Sequence, residues 1–102
     1  MTLCAIEEPF RVSGEELALD QAEAIKEEGC RRIDTHGDGP VVIDLGGLAR
    51  ANSVTVVVML AWFRRARVMD KAVSFTNLSD DLRNIVEFSG LGGLLGPTVS
   101  RD

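Results

Sequence analysis

The sequence predicts an α/β domain built on a small mixed sheet. Three observations point there. Strand-like and helix-like runs alternate along the chain, divided by Gly and Pro. Two short runs near the N-terminus lie so close that a hairpin is the economical connection. "VVIDL" (41–45) and "KAVSFTN" (71–77) both read as strands. If they are parallel neighbours, the segment between them must be a crossover, most often a helix.

Taken in order, "LCAIEE" reads as a short strand, Pro9 sits in a turn, and "FRVSG" is a second strand ending at Gly14. In "EELALDQAEAIKEEGCRRI", Ala22, Ile25, Gly29 and Ile33 recur at helical spacing and share one face. Glu23, Lys26, Glu27 and Arg31 fall elsewhere and stay in water. Gly29 weakens a helix by about 1 kcal/mol relative to Ala, so a close backbone contact is its expected reason. "THGDGP" closes the unit with turn residues. "VVIDL" is nearly all β-branched and apolar, as in a strand covered on both faces. "GGLARAN" reads as a loop.

The stretch "ARANSVTVVVMLAWFRRARVM" (49–69) is ambiguous by propensity, because Val54 to Val58 favour a strand. Its length from Ser53 to Met69 exceeds a typical strand. Arg64, Arg65 and Arg67 suit the negative end of a helix dipole. Together with the crossover requirement, these features predict a helix, with Ser53 as its cap. "KAVSFTN" alternates Ala72, Ser74 and Thr76 against Val73 and Phe75, giving a strand with unequal faces. "SDDLRNIVEFSG" is the clearest helix. Ser79 is its N-cap, Asp80 and Asp81 favour its first turn, and Gly90 stops it. Leu82, Ile85, Val86 and Ser89 form its buried stripe. The Gly-rich tail (91–102) is expected to pack loosely, and the whole chain (1–102) is expected to be one domain.

Composition narrows the function. The 102 residues carry 45% hydrophobic and 26% charged side chains, ordinary values for a globular protein. A net charge of -5 argues against nucleic acid and against attachment to an anionic membrane. The longest apolar run, Val54 to Phe63, is well short of the roughly 18 residues that span a bilayer. No basic region precedes the first apolar stretch, so no secretion signal is expected and the cytoplasm is the expected compartment. Cys4 and Cys30 form neither a disulfide framework nor a metal spacing. The single His36 lies in a turn-rich loop with no catalytic companion, and Glu27 and Glu28 diverge on a helix. No phosphate loop or nucleophile elbow is present. The expectation is a chain that is not an enzyme and needs no metal and no cofactor.

A helix apolar on nearly every side is either wholly buried or covered by a partner. If Val54, Val58, Ala61 and Trp62 face the core, then Ser53, Val57 and Leu60 form an exposed apolar strip, with Arg64 at its rim. The plainer alternative is an over-apolar helix with no partner. An uncovered strip also predicts self-association of the isolated chain.

The run "VVIDLGGLARANSVTVVVMLAWFRRARVMDKAVSFTNLSDDLRNIVEFSGL" resembles a STAS domain, the fold of bacterial anti-sigma-factor antagonists. The Asp44-Leu45 strand end, the Asn52-Ser53 pair and "FTNLSDDLRNIVEFSGL" carry the resemblance, and the C-terminal half is most like the MlaB branch. The resemblance implies a STAS-like fold, a small sheet with helices packed against it. It also implies a small cytoplasmic subunit that binds the ATPase of a phospholipid-transporting ABC complex, placed through it at the inner face of the inner membrane. Asn52, Ser53, Val57, Leu60 and Arg64 are the expected partner contacts. Ser53 falls at or beside the family's switch hydroxyl, which in antagonist members a partner kinase phosphorylates. Asn52 stands where the family usually carries Asp, and Val54-Thr55 replace small residues. Docking on an ATPase is therefore the first reading. An anti-sigma factor antagonist, switched by an anti-sigma factor kinase at Ser53, is the second.

Overall fold

The computed structural model describes residues 4–37, 39–88 and 90. Seven elements follow in the expected order: β1 (Ala5–Glu7), β2 (Arg11–Glu16), α1 (Leu19–Thr35), β3 (Val41–Arg50), α2 (Ser53–Val68), β4 (Val73–Thr76) and α3 (Asp80–Phe88). They form one four-stranded sheet in the order β1-β2-β3-β4. β1 and β2 pair antiparallel as a hairpin, while β2–β3 and β3–β4 pair parallel. Parallel neighbours need crossovers, and α1 and α2 supply them. The long ambiguous stretch is a helix, which this connection requires.

Three boundaries differ from the sequence reading. β2 runs past Gly14 to Glu16, so "EE" extends a strand and α1 begins only at Leu19. β3 runs through the two glycines to Arg50, where the sequence reads as a loop. A bulge is the reason: Arg11 pairs with Asp44 and Ser13 with Gly47, so β3 carries one extra residue there. The extra residue lets Leu45 and Leu48 both turn inward. Gly47 is required because a Cβ would lie 2.7 Å from the Val12 carbonyl oxygen.

β3 is covered on one face, not two. Val41, Ile43 and Leu45 are buried with Val12 and Phe75, whereas Val42 is 49% exposed on the opposite face. A one-residue alternation in an otherwise apolar run was masked by the choice of Val at the wet position.

The helices pack on the inner face and on each other. Trp62 of α2 lies across α1, its indole N–H donating to the Lys26 carbonyl at 3.0 Å. Its ring meets Phe10 edge-on at 5.3 Å between centroids. A Cβ at Gly29 would overlap this indole, so the glycine marks the close contact that its presence in a helix predicts. Burying a side chain as large as Trp62 contributes about 3 kcal/mol. At the other end of α1, the Lys71 ammonium donates to the carbonyls of Ile33 and His36 at 2.6 and 2.9 Å and closes the helix. In α3, Ser79 caps as expected, its Oγ accepting from the Leu82 N–H at 3.1 Å, and Leu82 and Val86 are buried. Ser89 and the tail 91–102 lie outside the described residues.

Candidate functional site

The site is built where the end of β3 turns into α2. Asn52 is extended, and its side-chain oxygen accepts from the Thr55 N–H at 3.1 Å. The Thr55 hydroxyl accepts from the Asn52 N–H at 3.4 Å, which makes a reciprocal capping box. The cap is therefore Asn52, not Ser53. The physical reason is the two-ended carboxamide. While its oxygen caps α2, its Nδ2 donates to Glu16 Oε2 at 2.8 Å and to the Leu17 carbonyl at 3.0 Å. A hydroxyl is too short to bond both the helix and the end of β2.

Ser53 becomes the first residue of α2. It is exposed, and its hydroxyl makes no hydrogen bond among the described residues. Thr55, two residues on, is only 2% exposed and is held in the capping box. The two hydroxyls thus have opposite environments, which sequence spacing alone does not reveal.

Val56, Val58 and Trp62 turn into the core, while Val54 and Ala61 are half-buried on its edge. Ser53, Val57 and Arg64 lie on the wet side, with Val57 63% exposed. Leu60 departs from the expectation: it is half-buried and packs against the core. Three residues advance the helix by about 300°, so Leu60 sits about 60° round from Val57, on the flank of the strip. Val68 is exposed and extends the strip toward the C-terminal end.

The arginines of α2 differ in what they do. Arg65 makes a two-pronged bond to Asp34 of α1, both contacts at 2.7 Å, and holds that carboxyl below its usual range. Arg67 stands 5.8 Å over the Phe63 ring. Arg64 is exposed and has no ion pair among the described residues.

Beside the start of α2 lies a groove of about 530 Å³, which the sequence does not announce. Glu15, Glu16 and Asp20 make its rim acidic against the single Arg50, and Leu19 and Val54 give it an apolar wall. Leu19 is 79% exposed. The groove exists because β2 ends beside α2, an approach made only in the folded chain.

Asp44, read from the sequence as a strand end, lies within β3 and ties it to β2 and to the loop after β4. Its Oδ1 accepts from the Gly46 N–H at 2.8 Å and from Asn77 Nδ2 at 3.0 Å, and Arg11 stands 3.7 Å from Oδ2. Burial pushes this carboxyl up, but the Gly46 and Asn77 donors and the Arg11 charge outweigh it, and the result lies below the usual range. His36 is exposed, with Nε2 3.1 Å from the Pro40 carbonyl. Among the described residues, no set of three His, Cys, Asp or Glu side chains gathers as a metal site.

Comparison with known proteins fits this geometry. No curated protein matches the sequence. Among solved structures, the chain is similar to the anti-sigma factor antagonist SpoIIAA in its unphosphorylated form. The TM-score is 0.65 at 19% identity, over 98% of this chain and 86% of that one, a likeness of fold. The family model described as "Mlab, STAS domain" matches residues 10–96, which include all of α2 and the groove beside it. On that match the chain belongs to the MlaB-type STAS domain family.

Proposed function

We propose that the chain is a non-catalytic binding and regulatory module, acting as one domain. It docks through the N-terminal half of α2 and the Ala51–Asn52 loop onto the ATPase subunit of a phospholipid-transporting ABC complex. Its place is cytoplasmic, at the inner face of the inner membrane through that partner. The observation that carries this reading is Val57, a large apolar side chain left 63% exposed between Ser53 and Arg64 on a helix whose Val56, Val58, Met59 and Trp62 are buried. Family membership supports the identity of the partner. Among the described residues no helix is long and apolar enough to cross a membrane. The module stabilises whichever ATPase conformation it binds more tightly, as any such regulator must.

Copurification tests it. Val57→Glu and Ser53→Asp place charge on the strip and are expected to abolish recovery of the ATPase while the fold stays intact. Leu60→Glu is a poorer probe, because Leu60 also packs on the core. Recovery of the ATPase at the unmodified level with Val57→Glu would rule the docking surface out.

A second reading, an antagonist switched by an anti-sigma factor kinase, draws on one observation. Ser53 offers a free, exposed hydroxyl at the first position of a helix. Phosphate there meets backbone N–H groups and adds about two negative charges to the apolar strip. Incubation with the kinase should place phosphate on Ser53 and none on buried Thr55; an unmodified Ser53 by mass spectrometry removes this reading.

A further inference from the structure

We propose that two copies of this chain pair through the same strip, α2 against α2 and antiparallel about a two-fold axis. Ser53, Val57, Leu60 and Arg64 follow one another at spacings of four, three and four, with Arg67 beyond them. That is the seam of a helix pair, with contacts averaging every 3.5 residues. The seam is self-complementary only in one direction. A parallel pair would set Arg64 against Arg64 and Arg67 against Arg67. An antiparallel pair centred between Val58 and Met59 sets Ser53 opposite Arg64 and Val57 opposite Leu60, twice over by symmetry. It also opposes the two helix dipoles.

Charge selects the same arrangement. α2 carries no acidic residue, and its cations lie at its C-terminal end. The ground beside its N-terminal end is acidic, with Glu15, Glu16 and Asp20 around the groove. Arg64 and Ser53 are eleven residues apart, about 16 Å along the axis. Across the two-fold, the exposed Arg64 of one copy, which has no ion pair among the described residues, arrives at the acidic end of the other. Leu19 and Val54 extend the apolar contact there.

Pairing covers Val57, so the dimer and the docked state exclude each other. That consequence alone rests on the proposed function; the dimer does not. The free chain would be held as a pair whose opening exposes the docking strip.

Sedimentation equilibrium of the purified chain over a range of concentrations tests the pairing. The expected result is a reversible monomer–dimer equilibrium that Val57→Glu abolishes and Arg64→Glu weakens by about tenfold or more. Ser53→Asp, placed opposite Arg64, should tighten the dimer. Phe88→Ser, at an exposed apolar residue off the seam, should leave it unchanged. A Ser53→Cys chain mixed with an Arg64→Cys chain should form a mixed disulfide in preference to either symmetric one. A monomer at every concentration, or a dimer indifferent to Arg64→Glu, overturns the proposal. Neither result touches copurification of the ATPase, so the two ideas fail separately.

Discussion

Asn52 owes its identity to Glu16. Its Nδ2 points at the Glu16 carboxylate and the Leu17 carbonyl, two acceptors that only a donor satisfies. An aspartate in its place would cap α2 equally well but set one carboxylate against another. Asn52→Asp should therefore lower stability by about 1–2 kcal/mol in urea unfolding, and adding Glu16→Gln should restore part of the loss. Gly29 is a second residue whose neighbour decides its type. In an isolated helix Gly29→Ala would help by about 1 kcal/mol. Here the new methyl meets the Trp62 indole, and overpacking of this kind costs about 1–3 kcal/mol. A net loss of stability is the expected outcome of urea unfolding, and a gain would show that the indole has room to move. The sequence raises the question at Gly29 by placing a helix breaker on a buried face, but only the packed α1–α2 pair names Trp62 as the answer.

At the scale of elements, α2 is a helix made largely of strand-forming residues. Its valines do not decide its form. Its ends do, through the Asn52–Thr55 box and the Lys71 N–H that donates to the Ala66 carbonyl at 2.8 Å, together with the parallel β3 and β4 that it must connect. The element was legible in the sequence because length, arginine placement and its place between two strands outweigh propensity. The cap was not, since Asn and Ser stand side by side and either type can cap. Nor was the extension of β3 to Arg50, because a glycine pair reads as a turn until a neighbouring strand crosses it closely. The strip itself divides into a wet and a half-covered part. Val57→Glu should shift stability by no more than about 0.5 kcal/mol. Leu60→Glu should cost about 1–3 kcal/mol, because it brings charge against the core. Thermal unfolding of the two variants side by side checks the difference.

For the whole molecule, several carboxylates join elements that are distant in sequence. Asp34 ties α1 to α2 through Arg65, and Asp44 ties β3 to the loop after β4 through Asn77. Glu28 holds Arg31 and Arg32, and Arg32 in turn reaches the carbonyls of the β1–β2 hairpin. All three acids sit below their ordinary values in the folded chain: Asp34 through its bond to Arg65, Glu28 through Arg31 and Arg32, and Asp44 through donors that outweigh burial. A depressed folded value stabilises above the ordinary carboxyl range and is lost as pH falls through the folded value. Urea midpoints should therefore be level near neutrality and decline below about pH 4. Asp44→Asn keeps an acceptor for Gly46 and should make that decline shallower, at the cost of lower stability at pH 7.

The chain by itself determined the order and type of its elements and a long helix with too little polar surface. Those follow from periodicity, turn chemistry and length, which act between near neighbours. The folded structure alone decided which hydroxyl is capped and which is free, that Leu60 leans inward while Val57 stays wet, and that an acidic groove lies beside the first turn of α2. The choice of Asn52 as cap and the groove beside it depend on contacts across thirty or more residues, such as Asn52 with Glu16. Local spacing carries no record of such contacts until the sheet and helices have closed.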